Sequence, residues 1–287
     1  MRFEREVQEQ YLKAFGKGSS GLRKNRKQGG LTQLQVLDAI LDQQRVACQI
    51  DLGVVEIPVS QIVGVTTADG KELLYSPDFM PLSSPKSPYA KEWRQLYLAY
   101  LSGEGPGTPI RCYEYLGRFY VHDGAKRVSV LKSHGAPTIS SQVIRIMPKH
   151  TAEKNIQCYY EFLHHFHLTG LYQISFTQPE YFAKLQAALG HETNYRWNDT
   201  DRFGFLFHWH AIETAFQKAY DGYLNITAAD ALVILLERYS YSQIIKMPVW
   251  VLARVFEAHW KRMHELSFPE LAQKRKNTQV SEVLQTA

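Results

Sequence analysis

The chain has 287 residues, 45% of them apolar, with 33 Lys and Arg against 28 Asp and Glu. That composition excludes a disordered or fibrous chain and suits one large domain or two smaller ones. A net charge of +5 permits an anionic partner without requiring one. Three cysteines, Cys48, Cys112 and Cys158, stand at long spacings that fit neither a disulfide framework nor a zinc site, and read as thiols of a reducing compartment. The amino-terminal MRFEREVQEQ is charged and has no apolar h-region, and no apolar run reaches the ~20 residues that span a bilayer. A cytoplasmic protein with no membrane partner is expected.

In chain order, Glu4 to Phe15 reads as a short polar helix broken by Gly16-Lys17-Gly18-Ser19-Ser20-Gly21. The break leaves an acid-free stretch holding Lys13, Lys17, Arg23, Lys24, Arg26 and Lys27. A basic run in a Gly/Ser-rich loop is ordinarily a solvated arm. The alternative is contact with a polyanion, and those six bases are then the nucleic-acid-binding residues, with DNA the candidate partner. After Gly29-Gly30, Leu31, Leu34, Leu37 and Leu41 recur at helical spacing, with Ile40 beside them, predicting a helix to Arg45. Residues 1–47 thus read as a helical arm with a basic loop.

From Val54 the texture becomes strand-like: VVEIPVSQIVGV, KELLY, PIRCYEYLG, RFYVHDG and TISSQVIRI, rich in β-branched and aromatic residues. Helices are expected over Tyr89–Leu101 and Ala125–His134, the second closed by Gly135. Residues 48–150 form an α+β module. Beyond Pro148, helical patterns cover Glu153–His167, Pro179–Leu189, Gly204–Tyr220, Ala228–Arg238 and Pro248–Leu266. A short helix or turn over Tyr239–Met247 and a loosely ordered polar tail from Lys274 complete an all-α carboxy-terminal domain, 151–287.

Chemistry concentrates between Pro109 and Pro148, in a segment where residues 108–150 carry a net +5. A strand ends at His122-Asp123-Gly124 and a helix begins. Asp123 at this junction is expected to cap the helix, and Gly124 lets a ligand approach the backbone. The first helical turn offers free amides beside Lys126 and Arg127, an arrangement that binds phosphate, and Ser129 adds a hydroxyl. The plain structural alternative is a capped helix, a turn glycine and solvated bases.

The segments VEIPVSQIVGV, SPDFMPL, the helix around Trp93 and TPIRCYEYLGRFYVHDGAKRVSVLKSHGAPTISSQVIRI resemble the ParB/sulfiredoxin superfamily over roughly residues 48–148. The likeness is closer to bacterial ParB-like proteins whose box reads Asp-Gly-x-His-Arg-Val-Ser-Val; here it is Asp123-Gly124-Ala125-Lys126-Arg127-Val128-Ser129-Val130. The resemblance implies a small mixed sheet with helices, and places Gly124 and Arg127 around the phosphates of CTP or ATP with Mg2+. It places Gly64, in the loop leading to Asp78-Phe79-Met80-Pro81, on a second wall of the site.

The departures are informative. Sulfiredoxin has its catalytic cysteine after the box glycine, where Ala125 stands, which argues against sulfinic-acid reduction. Ala125 and Lys126 replace an acid and a second arginine of the ParB box, which argues against ParB-type hydrolysis while leaving binding intact. The superfamily also resembles a free serine kinase, for which Glu56 and Asp123 are the candidate catalytic bases. Phe79, Trp93 and Tyr97 read as core. His164 and His167 share a helical face, but no HExxH motif or cysteine pair accompanies them, so no metal site is assigned. The 227–262 region has a helix-turn-helix outline, yet its second helix is poor in base-reading side chains, and a helical bundle is the better reading.

The leading expectation is a nucleoside-triphosphate-binding, nucleic-acid-associated regulator. The alternatives are a phosphotransferase, small-molecule kinase or nucleotidase using the same pocket, or a non-catalytic interaction module. A homodimer is compatible with the sequence but not dictated by it.

Overall fold

The computed structural model describes residues 2–103, 107–220 and 224–268. The chain divides into two units, residues 1–150 and 151–287. The polar tail from Lys274 lies outside the described residues. Among the described residues no helix is long and apolar enough to cross a membrane.

The first unit runs α1 (Arg2–Gln28), β1 (Gln35–Val36), α2 (Leu37–Ile40), β2 (Val46–Pro58), β3 (Ile62–Val65), α3 (Pro88–Leu101), β4 (Ile110–Tyr115), β5 (Arg118–Asp123), α4 (Ala125–His134) and β6 (Thr138–Pro148). The six strands form one mixed sheet in the order β1-β3-β5-β4-β6-β2. β3 runs parallel to β1 and β5, β4 is antiparallel to β5 and parallel to β6, and β2 closes the far edge antiparallel to β6. The unit is α+β, as expected.

Three local expectations are overturned. The Gly/Ser stretch does not break the first helix, because α1 continues through it to Gln28. Val7, Tyr11 and Ala14 form its buried stripe, and the Trp93 ring meets Tyr11 edge-on at 5.2 Å. A glycine costs a helix about 1 kcal/mol, whereas burying one large side chain returns about 1.5–3 kcal/mol, so packing wins. Gly18 serves that packing directly, since a Cβ there would sit 2.9 Å from the Pro81 carbonyl oxygen. The helix expected over Leu31–Arg45 is likewise cut short: Gln35 and Val36 pair with Gly64 and Val65, Leu37–Ile40 form one α-helical turn and Gln43–Arg45 a 3-10 turn. The KELLY run forms a 3-10 turn over Lys71–Leu74 instead of a strand.

The second unit comprises α5 (Lys154–Thr169), α6 (Tyr181–Ala188), α7 (Asp199–Tyr220), α8 (Ala228–Leu236), α9 (Tyr241–Ile244), α10 (Val249–Ala258) and α11 (Trp260–Ser267). The single helix expected from Pro248 to Leu266 is interrupted at His259, whose imidazole Nδ1 lies 2.8 Å from the Val255 carbonyl oxygen. α8 is buried from Ala228 through Leu235, which makes it a core helix rather than a surface member of a DNA-reading pair. Asp230, fully buried, anchors its start by accepting from the Thr227 and Thr177 amides and the Thr177 hydroxyl.

Candidate functional site

β3 and β5 lie side by side and parallel, and beyond the carboxyl ends of such a pair the backbone opens a crevice where ligands commonly sit. Here that crevice is a cleft of about 480 Å³. Val65, Thr66, Thr67 and Asp69 from the end of β3 and beyond line it, together with Val121 to Lys126 from the end of β5 and the start of α4. Tyr89 and Glu92 of α3 line it as well.

Gly124 occupies the cap position of α4 at φ 104°. A Cβ there would stand 2.5 Å from Ile110 Cγ2 and 2.9 Å from Arg127 Nη2, so the site tolerates only glycine. The Arg127 and Val128 amides bond to the Gly124 carbonyl, which leaves those of Ala125 and Lys126 without an intrahelical acceptor at the cleft. The expected cap is corrected: the Asp123 side chain makes no capping bond to α4, and its carboxylate lies 3.4 Å from Arg127 Nη2.

Asp123, Gly124 and Lys126 line the cleft. Lys126 arrives with a partner: its ammonium pairs with Glu92 and sits 5.1 Å from the centroid of the Tyr89 ring. The hydrogen bond and charge of Lys126 hold the Glu92 carboxyl below its ordinary range. The Arg127 guanidinium turns to the Thr108 carbonyl and Asp123, with its side chain only 16% exposed, so it braces the loop before β4.

Arg127 does not line the cleft, and three further sequence candidates lie elsewhere. The Ser129 hydroxyl is buried and accepts from Trp93 Nε1 at 3.0 Å. Gly64 is glycine because a Cβ would come within 2.1 Å of the Gln35 carbonyl oxygen of β1, a demand of strand packing and not of a ligand. Glu56 is exposed on β2, an edge strand separated from β5 by β4 and β6. Phe79, Trp93 and Tyr97 are buried, as expected of core residues.

The sequence reading missed His122, Thr66, Asp69, Glu92 and Tyr89. His122 was visible as the residue before the box. Thr66 was not, because it comes beside His122 only when β3 and β5 pair: Thr66 Oγ1 lies 3.2 Å from His122 Nδ1.

Asp69, Glu92 and Asp123 set three carboxylates against Lys126 in the lining of the cleft. Were Mg2+ bound here, Asp69 and Asp123 would be its carboxylate donors, and the phosphates of a nucleotide would complete its shell. Among the described residues no three His, Cys, Asp or Glu side chains converge as a metal site by themselves. His164 Nε2 lies 3.3 Å from Asn194 Oδ1 and His167 Nε2 2.9 Å from Arg196 Nη2. Cys112 and Cys158 are buried, and burial pushes their thiols up to about 12 and about 11.

The basic stretch is a second feature. Lys13, Lys17, Arg23, Lys24, Arg26 and Lys27 are all exposed along α1. At 3.6 residues per turn, Lys13, Lys17, Lys24 and Lys27 fall within an arc of roughly 80°, centred about 120° from the buried stripe, and span about 21 Å.

Compared with protein-family models and with curated proteins, the chain matches none.

Proposed function

We propose that this protein binds a nucleoside triphosphate, CTP or ATP with Mg2+, in the cleft at the start of α4, and works as a cytoplasmic, nucleic-acid-associated regulator. The carrying observation is the β5–Gly124–α4 junction, where unpaired helix amides, Lys126 and two carboxylates suited to Mg2+ meet in one cleft of nucleotide size. The ParB/sulfiredoxin resemblance points to the same junction. The basic face of α1 supplies the polyanion contact.

Calorimetry of the full chain with CTP, ATP and GTP, with and without Mg2+, tests the first part. Mg2+-dependent heat is expected for CTP or ATP, and a drop of at least tenfold in affinity for Ala125→Glu, which sets a carboxylate where the phosphate docks yet favours the helix. No heat and no thermal shift with any nucleotide refutes it, and the interaction-module reading then takes its place. For the second part, duplex DNA affinity is expected to fall with salt. Replacing Lys13, Lys17, Lys24 and Lys27 by Gln lowers the salt slope by about 0.9 for each phosphate that is no longer neutralised. An unchanged slope refutes the α1 interface.

The phosphotransferase or nucleotidase reading is favoured by His122, Asp123 and Asp69 bordering the same cleft.

A further inference from the structure

We propose that the outward face of α7 docks a second copy of this chain, the two α7 helices packing antiparallel about a twofold axis level with Phe205 and Leu206. α7 lies wholly within the second unit.

α7 is a surface helix whose outer side is uncharged. Between Thr200 and Gln217 the charged residues are Asp201, Arg202 and Glu213, all half-buried. Asp201 accepts from the Tyr195 hydroxyl and the Asn198 amide, and Arg202 pairs with Asp199. At 3.6 residues per turn, Thr200, Phe203, Gly204, Phe207, Ala211 and Thr214 fall within an arc of about 100°, centred roughly 150° from the buried Phe205, Trp209 and Ile212. On that arc Phe203 is 71% exposed and Phe207 81%. A helix that is apolar on its outer side as well as its inner one belongs in an interior or an interface.

Gly204 meets no need of its own helix. Glycine is a poor residue for a helix interior, and here nothing among the described residues lies within 4 Å of the point where a Cβ would stand. At Gly18 of α1, by contrast, a Cβ would meet the Pro81 carbonyl oxygen at 2.9 Å. The space over Gly204, beside two exposed phenylalanines, suits a side chain that arrives from another molecule. When Phe207 of one copy sits on Gly204 of the other, the twofold makes the reverse contact as well. The same register sets Thr200 against Ala211 and Phe203 against His208, whose ring stands edge-on to Phe207 at 5.0 Å. Large thus faces small at the centre, as close packing demands.

The area suffices for a weak, reversible dimer. A Phe or Trp side chain buries about 150–250 Å², so at their exposures Phe203 and Phe207 offer roughly 300 Å². Phe216 meets Phe256 and Tyr220 meets Trp260, so α10 runs parallel to α7 and sets Trp250 level with His210. Trp250 is 63% exposed and adds roughly 150 Å². Exposed Thr200, His210 and Gln217 bring the face toward the ~800 Å² per partner of a standard interface. A second copy is the occupant because the face complements itself in shape and carries no charge to repel its image. A nucleic acid or an anionic bilayer calls for bases among the aromatics, and this arc has none.

The test is the mass of the full chain, by sedimentation velocity and light scattering over roughly 1–100 µM, for the wild type, Phe207→Glu and Gly204→Leu. The wild type is expected to pass from monomer to dimer in that range. Phe207→Glu raises the dissociation constant at least ~100-fold, because it buries a charge at the centre of the contact. Gly204→Leu raises it at least ~10-fold while its circular dichroism is kept and its urea midpoint is equal or higher, since the isolated helix has room for the side chain. A wild type that stays monomeric throughout, or a dimer that survives Phe207→Glu, overturns the proposal. A dimer lost in Phe207→Glu but unchanged in Gly204→Leu overturns the seating of Phe207 on Gly204.

Discussion

His165 makes the second unit sensitive to acid in a way that can be calculated. It lies in the interior of α5, 2% exposed, stacked on Phe182 at 3.8 Å, with Trp197 edge-on at 6.2 Å and its Nε2 without a hydrogen-bond partner. Burial, with a smaller push from the neighbouring His164, lowers its pKa from 6.5 to about 3. Because the folded value is the depressed one, the unfolded chain takes up a proton below pH 6.5 that the folded chain refuses until about pH 3. Stability is therefore unaffected above pH 7 and falls by about 1.4 kcal/mol per pH unit below 6.5, to a limit of about 5 kcal/mol. Between pH 7.5 and 4.5 the loss is about 2.5 kcal/mol. The perturbation is His165→Phe, which keeps an aromatic stack and removes both the titration and an unpaired nitrogen, so its effect at pH 7.5 stays within about 1.5 kcal/mol. Urea unfolding followed by tryptophan fluorescence suits the question, because four of the five tryptophans, Trp197, Trp209, Trp250 and Trp260, belong to the second unit. The difference between variant and wild type is expected to be flat above pH 7 and to grow by about 2.5 kcal/mol in the variant's favour by pH 4.5. Parallel curves across that range refute the reasoning.

Gly64→Ala is expected to destabilise the first unit by about 1–3 kcal/mol, since its Cβ collides with the Gln35 backbone, and amide exchange should show β1 detached first. Asp230→Ala strips the acceptor from the Thr227 and Thr177 amides and the Thr177 hydroxyl at a fully buried site, and about 2–4 kcal/mol is expected from chemical denaturation of the second unit. Glu92→Gln releases Lys126 for phosphate, and calorimetry should record a rise of a few-fold in nucleotide affinity; a fall would show that Glu92 helps to hold the cation.

Legibility was uneven for physical reasons. β4, β5 and β6 and the helix between β5 and β6 were readable because runs of β-branched and aromatic residues and a terminal Gly135 are local signals. α1 was misread because its glycines speak for a break, while the neighbours that outweigh them, Trp93, Met80 and Pro81, lie about 60–80 residues away in sequence. Leu31–Arg45 was misread for the same reason: helical spacing of leucines is local, and the parallel pairing of Gln35 and Val36 with β3 is not. In the site, the strand–Asp-Gly–helix junction was visible, and Asp123, Gly124 and Lys126 reached the cleft. Arg127, Ser129, Gly64 and Glu56 did not, because the face a residue presents depends on which element packs against it.

The sequence by itself determined the α+β first half, the helical second half, the glycine at the junction and the concentration of base in Lys13–Lys27. Those follow from composition, periodicity and backbone freedom, which act over a few residues. Only the tertiary structure decided that the bases share one face of a helix, that Arg127 braces a loop while Lys126 borders the cleft, and that His122 meets Thr66. Each of those depends on pairings closed between distant segments, whose energy no local pattern records.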